Sequence, residues 1–61
     1  MTNHPENISF DIFMDRVNEV LLHQVDCQAD DLPDYDYASA WEAGISSKVT
    51  AHEAIRNAGN F

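Results

Sequence analysis

Phe10, Phe13, Met14, Val17, Val20 and Leu21 recur at the i, i+3, i+4, i+7 spacing of one helical face. No other feature restricts the fold as much, because the surrounding run, FDIFMDRVNEVLLHQV, is the densest in large apolar side chains. Ser9 precedes it as an N-cap, and Asp11 suits the positive end of a helix dipole, so a helix is expected from Phe10 to Val25. Gln24 is the polar member of the stripe. Asp11–Asp15 and Asp15–Glu19 are like-charge i, i+4 pairs, which weaken the helix slightly. Ile12 and Leu22 fall off the stripe and serve either as side packing or as a second contact face.

The run DCQADDLPDYD interrupts this pattern. A second helix starts within it, and two starts are open. Asp31 as N-cap places Leu32, Pro33 and Asp34 in the first turn, where proline costs no hydrogen bond and aspartate suits the dipole. Asp34 as N-cap starts the helix at Tyr35 instead. Either way it ends at Glu42-Ala43-Gly44, with Gly44 as the C-cap. Tyr37, Ala38, Trp41 and Ile45 form its inner edge, and Ala40 allows another helix to approach closely.

A third, short helix carries Ala51, Ala54, Ile55 and Ala58 at helical spacing and stops at Gly59. Thr50 and Glu53 make a capping box for it, with Val49 outside as an N′ staple. An earlier start capped by Ser46 or Ser47 would bring Val49 into the helix. No run of alternating β-branched residues survives inspection. The expected fold class is therefore all-α. A flexible stretch, residues 1–8, precedes a single three-helix domain, residues 9–61, with a helical hairpin turning at Gly44.

A chain of 61 residues buries only about 60% of the surface its unfolded form exposes, so its stability is marginal. Cys27 is the only cysteine, which excludes an internal disulfide. The start MTNHPENISF lacks the basic and apolar regions of a signal peptide, and no run approaches the ~20 apolar residues of a membrane span. A soluble, cytoplasmic chain is expected. Asn7-Ile8-Ser9 fits a glycosylation acceptor pattern that only a secreted chain would use. The apolar content balances large rings against one small three-helix face, which leaves a homodimer open.

Charge narrows the function classes. Eleven Asp and Glu face three Lys and Arg, a formal charge of −8. Between Arg16 and Lys48 every charged side chain is acidic: Glu19, Asp26, Asp30, Asp31, Asp34, Asp36 and Glu42. Such a field repels nucleic-acid phosphates and anionic membranes and draws in a basic protein surface. Excess acid also serves solubility alone. Carboxylates spaced along helices can imitate the phosphates of duplex DNA, and small acidic helical chains from phages and mobile elements act as DNA mimics. The expected function is a protein-binding module or inhibitor acting on a basic or nucleic-acid-handling protein. Asp30, Asp31, Asp34, Tyr35, Asp36 and Glu42 are its candidate contact residues. An accessory subunit of an enzyme complex is a further option.

The segment from Ala38 to Ile55 resembles the turn of a helix-turn-helix motif. Ala40 stands where a small residue packs between the helices, Gly44 makes the turn, and Ser46 caps the second helix. Thr50 and Glu53 depart from it, standing where the motif usually has apolar residues. The resemblance implies a small DNA-binding regulator with Lys48, His52 and Arg56 on one face at i, i+4, i+8. Metal binding fits poorly. No register from Asp26 or Asp30 meets an EF-hand, and Val25 to Tyr37 lacks glycine. A zinc site would need His23, Cys27, His4 and His52 without a second paired motif. Pairs such as Asp34 with Asp36, His52 with Glu53, and Cys27 with His23 lack a cleft to tune them. No catalysis and no cofactor are expected.

Overall fold

The computed structural model describes residues 8–59. The expectations for residues 1–7, including His4 and Asn7, lie outside the described residues. Within them the chain forms helix α1 (Phe10–Val25), a 3-10 turn (Ala29–Asp31), helix α2 (Tyr37–Glu42) and helix α3 (Ser47–Ala58), with no strand. The protein is an all-helical, compact three-helix domain.

Helix α1 has the expected bounds. Ser9 is extended, and its hydroxyl accepts from the Ile12 amide at 3.4 Å. Asp26 ends the helix in the left-handed region, at φ 58°, and donates its amide to the Leu22 carbonyl at 3.2 Å. Aspartate is among the few non-glycine residues enriched in this conformation. Phe13, Val17 and Leu21 are fully buried, while Phe10, Met14 and Val20 are half-buried. Gln24 is exposed. Ile12 and Leu22 are exposed too, so neither serves as side packing.

Helix α2 starts later than either expected cap. The residue before a proline is kept out of the helical region by the proline ring, and Leu32 is accordingly extended, at φ −100° and ψ 159°. Leu32 instead drops into the core. Asp31 is used one turn earlier: its carboxylate accepts from the Gln28 amide at 3.1 Å and closes the 3-10 turn. Asp34 caps nothing either. Asp36 is the N-cap, accepting from the Ser39 amide at 3.1 Å and the Ser39 hydroxyl at 2.7 Å. Of the expected inner edge, Tyr37, Trp41 and Ile45 are half-buried but Ala38 is exposed; Ala40 is buried.

The hairpin turns where expected. Gly44 takes φ 82°, and Gly44 and Ile45 donate to the Trp41 and Ala40 carbonyls at 3.1 and 3.0 Å. This pair of bonds is the Schellman ending of a helix, and the left-handed position favours glycine. The turn leaves Ser46 extended, at φ −66° and ψ 157°, which is the geometry an N-cap needs. Ser46 therefore starts α3, its hydroxyl accepting from the Val49 amide at 3.2 Å. The Thr50–Glu53 capping box does not form. Thr50 is an interior helical residue donating to the Ser46 carbonyl at 2.9 Å, and Val49 is exposed within the helix rather than a staple.

The largest contact between elements is α1 on α3. Phe13, Val17 and Leu21 from α1 share the core with Ala51 and Ala54 of α3, Ala40 of α2 and Leu32 of the linker. Trp41 closes one end, with its indole N–H donating to the Ile8 carbonyl at 3.0 Å and its ring edge-on to Phe10 at 5.8 Å. Thr50 is fully buried, yet its hydroxyl has no hydrogen-bond partner. An unmet buried hydroxyl costs about 1–3 kcal/mol. Thr50→Val should therefore stabilise the domain by about 1 kcal/mol, read as a higher urea midpoint at unchanged slope.

Candidate functional site

The candidate surface is built on the linker between α1 and α2, so what positions that linker positions the acids. Asn18 projects from the edge of the α1 stripe, and its side-chain oxygen accepts from the Ala29 amide at 2.7 Å. At the other end the Asn57 side chain donates to the Asp34 carbonyl at 3.0 Å, tying the linker to α3. Between these clamps Leu32 is anchored in the core. The acidic segment is thus held along the helices at three points.

Asp30, Asp31, Asp34, Asp36 and Glu42 are all exposed. Asp30, Asp34 and Tyr35 line one open depression together with Met14, Leu32 and Tyr37. Asp31 and Asp36 have structural duties as caps, and Glu42 stands at the opposite end of α2 from Asp36. Tyr35 does not stand free as a contact residue. It is half-buried, edge-on to Tyr37 at a ring separation of 5.2 Å, and packed against the core. Asp15 and Glu19 of α1 border a second open depression with Asn18, Leu22 and Gln28, the residue that leads into the acidic 3-10 turn. The α1 acids and the linker acids thus border two depressions, which the Asn18–Ala29 bond ties together.

Positive charge stands mostly on α3, except for Arg16, which borders the α1 depression beside Asp15 and Glu19. Lys48, His52 and Arg56 lie exposed on α3, with Val49 among them. Arg56 is 3.8 Å from Glu53, an exposed pair of the kind that adds little stability. Among the described residues, no three His, Cys, Asp or Glu side chains gather where a metal ion could be held. Cys27 is half-buried against the core and His23 is exposed in the last turn of α1. No described helix is long and apolar enough to cross a membrane. Asn18 and Asn57 went unnoticed in the sequence. The only signal for Asn18 was a short amide side chain beside the apolar stripe.

Compared with known protein families, curated proteins and solved structures, the chain matches none.

Among the described residues, two groups titrate away from their ordinary values. The Ser39 hydroxyl, and then the Ser39 amide, hold the Asp36 carboxylate low. Burial, helped by Tyr35 and Asp30, pushes the Tyr37 phenol up. A lowered carboxylate contributes stability above its unfolded value and loses it as pH falls through the folded one. Asp36→Asn keeps a capping oxygen without the charge. Wild type should be the more stable at pH 6, and thermal melts should show the difference shrinking below about pH 4. For Tyr37 the sign is opposite: its contribution holds below about pH 10 and is lost as pH rises further. The Tyr37 hydroxyl oxygen is also buried without a partner. Tyr37→Phe should gain about 1 kcal/mol at pH 7, and more above pH 10, as measured by urea unfolding across that range.

Proposed function

We propose that this chain is a protein-binding module, or inhibitor, whose acidic flank engages a basic surface on a nucleic-acid-handling protein. One observation supports the proposal: the Ala29 amide is bonded to Asn18, so the linker depression bearing Asp30 and Asp34 is tied to the α1 depression bearing Asp15 and Glu19. Carboxylates ordered on a framework meet a basic surface without first losing chain entropy. Their summed field speeds encounter and sets partner choice more than it adds affinity. The Debye length is about 10 Å at 0.1 M salt, so charges on one flank act together only at moderate ionic strength. A DNA-mimic mode, with the chain occupying a cleft meant for duplex phosphates, is the form of this reading that suits a phage- or mobile-element-encoded inhibitor.

A second reading has its own observation. Buried Ala40, left-handed Gly44 and capping Ser46 form a turn that resembles that of a helix-turn-helix, and α3 turns Lys48, His52 and Arg56 outward. The acids elsewhere oppose that use, since three such groups make a small phosphate contact set.

Neutralising only the acids without capping duties separates the two readings. The variant Asp15→Asn, Glu19→Gln, Asp30→Asn, Asp34→Asn should melt close to wild type. In affinity capture from host extract at about 50 and 300 mM salt, wild type should hold a basic partner only at the lower salt, and the variant at neither. A partner held equally by both proteins, or no salt-sensitive partner, would overturn the acid-flank reading. Duplex DNA that binds wild type at about 50 mM salt and is lost on Lys48→Ala with Arg56→Ala would establish the second reading instead.

A further inference from the structure

We infer that the outer line of α1 seats a basic amphipathic helix. Ile12, Asp15, Glu19 and Leu22 follow one another at steps of three, four and three residues. That is the seam spacing along which two helices mesh as a coiled coil. All four are exposed, and Ile12 and Leu22 keep 47% and 43% of their surface in solvent. The domain's own core uses another stripe of the same helix, Phe13, Val17 and Leu21. Helix α1 therefore carries two lines at helical spacing, and among the described residues only one is covered.

A single exposed apolar side chain is ordinary on a small protein. Two of them about 15 Å apart along one helix, at 1.5 Å per residue, with only carboxylates between them on the seam, specify a complement. That complement is a helix with apolar side chains at both ends of the same span and Lys or Arg facing Asp15 and Glu19. The open depression beside the line, bordered by Asp15, Asn18, Glu19, Leu22 and Gln28, leaves room for a long cationic side chain to reach those carboxylates. Arg16 borders it as well, and its like charge repels the occupant's cations and leaves them the Asp15–Glu19 side.

A second copy of this chain does not fit the line. Paired in parallel register, Asp15 meets Asp15 and Glu19 meets Glu19. Paired antiparallel with Ile12 opposite Leu22, Asp15 falls opposite Glu19. Both arrangements set like charges face to face in the contact, which opposes association. Helix α3 of a second copy brings Lys48, His52 and Arg56 but only one exposed large apolar side chain, Val49, and so cannot fill both ends of the span; the occupant is a different chain.

The inference rests on the acid-flank reading for the sign of the partner's charge and adds to it an apolar register. Two synthetic peptides of identical composition, each about three heptads long, separate the two. One carries leucines on a seam at the Ile12-to-Leu22 interval, with lysines between. The other has the same residues with the leucines moved off the seam. In a titration of isotope-labelled chain followed by NMR, the seam peptide should bind about tenfold tighter or more, a difference of about 1.4 kcal/mol. Its amide shifts should centre on Ile12, Asp15, Glu19 and Leu22. Ile12→Ser with Leu22→Ser should erase the preference while leaving the circular dichroism unchanged, because both side chains are outside the core. Equal, salt-sensitive binding of both peptides would overturn this inference and leave the acid-flank reading standing. So would shifts confined to the linker, or self-association that the double serine variant abolishes. Binding of neither peptide would overturn both.

Discussion

The structure depends on a mismatch in side-chain size between two helices. Helix α1 supplies Phe13, Val17 and Leu21, and α3 meets them with Ala51, Ala54 and Thr50. Large groups against small ones let two backbones approach closely without voids, which a core this small requires. Enlarging an alanine of α3 would push the helices apart, and trimming Phe13 would leave a hole that nothing nearby is large enough to fill. Helix α2, six residues long, could not persist alone. It is held by Ala40 beneath, the Asp36 cap at its start, and Trp41 with the Gly44 turn at its end. The linker in turn rests on all three helices, so the acidic surface inherits its order from the α1–α3 contact.

How much of this was legible in the sequence depends on whether the deciding interaction is local. Helix α1 was legible end to end because its cap and its apolar periodicity lie in one run and agree. The hairpin was legible because a left-handed turn favours glycine and Gly44 is the only glycine nearby. The start of α2 was misjudged, although the correcting signal was local too: Pro33 bars Leu32 from helical geometry. Three aspartates precede α2, each able to cap, and only tertiary context selects Asp36. The start of α3 offered a genuine competition between Ser46 and Thr50. It was settled by burial, since Thr50 fills a core position that a capping residue could not reach.

The candidate surface was legible as composition and not as geometry. Six residues from Asp30 to Glu42 were picked out by charge and by one aromatic ring. The fold gives them unequal roles: two caps, a half-buried tyrosine, an isolated glutamate, and the exposed pair Asp30 and Asp34. What joins that pair to the α1 acids is an amide-to-amide bond from Asn18 to Ala29, eleven residues apart in the chain. No periodicity reports such a contact, because it depends on where the linker falls once Leu32 is buried. The off-stripe positions Ile12 and Leu22 were legible as an anomaly, and only the fold could show on which side of α1 they stand.

Trp41 is the only tryptophan in the chain. Its indole lies at the junction of α2 with the start of α1, bonded to the Ile8 carbonyl and edge-on to Phe10. It makes the protein its own spectroscopic gauge for that junction. Indole emission follows the departure of the segment before α1 from α2, whereas far-ultraviolet dichroism is dominated by the longer helices α1 and α3. The two signals sample different seams of one small domain. Their agreement or divergence during unfolding measures directly whether the Trp41 clasp and the α1–α3 packing form a single cooperative unit.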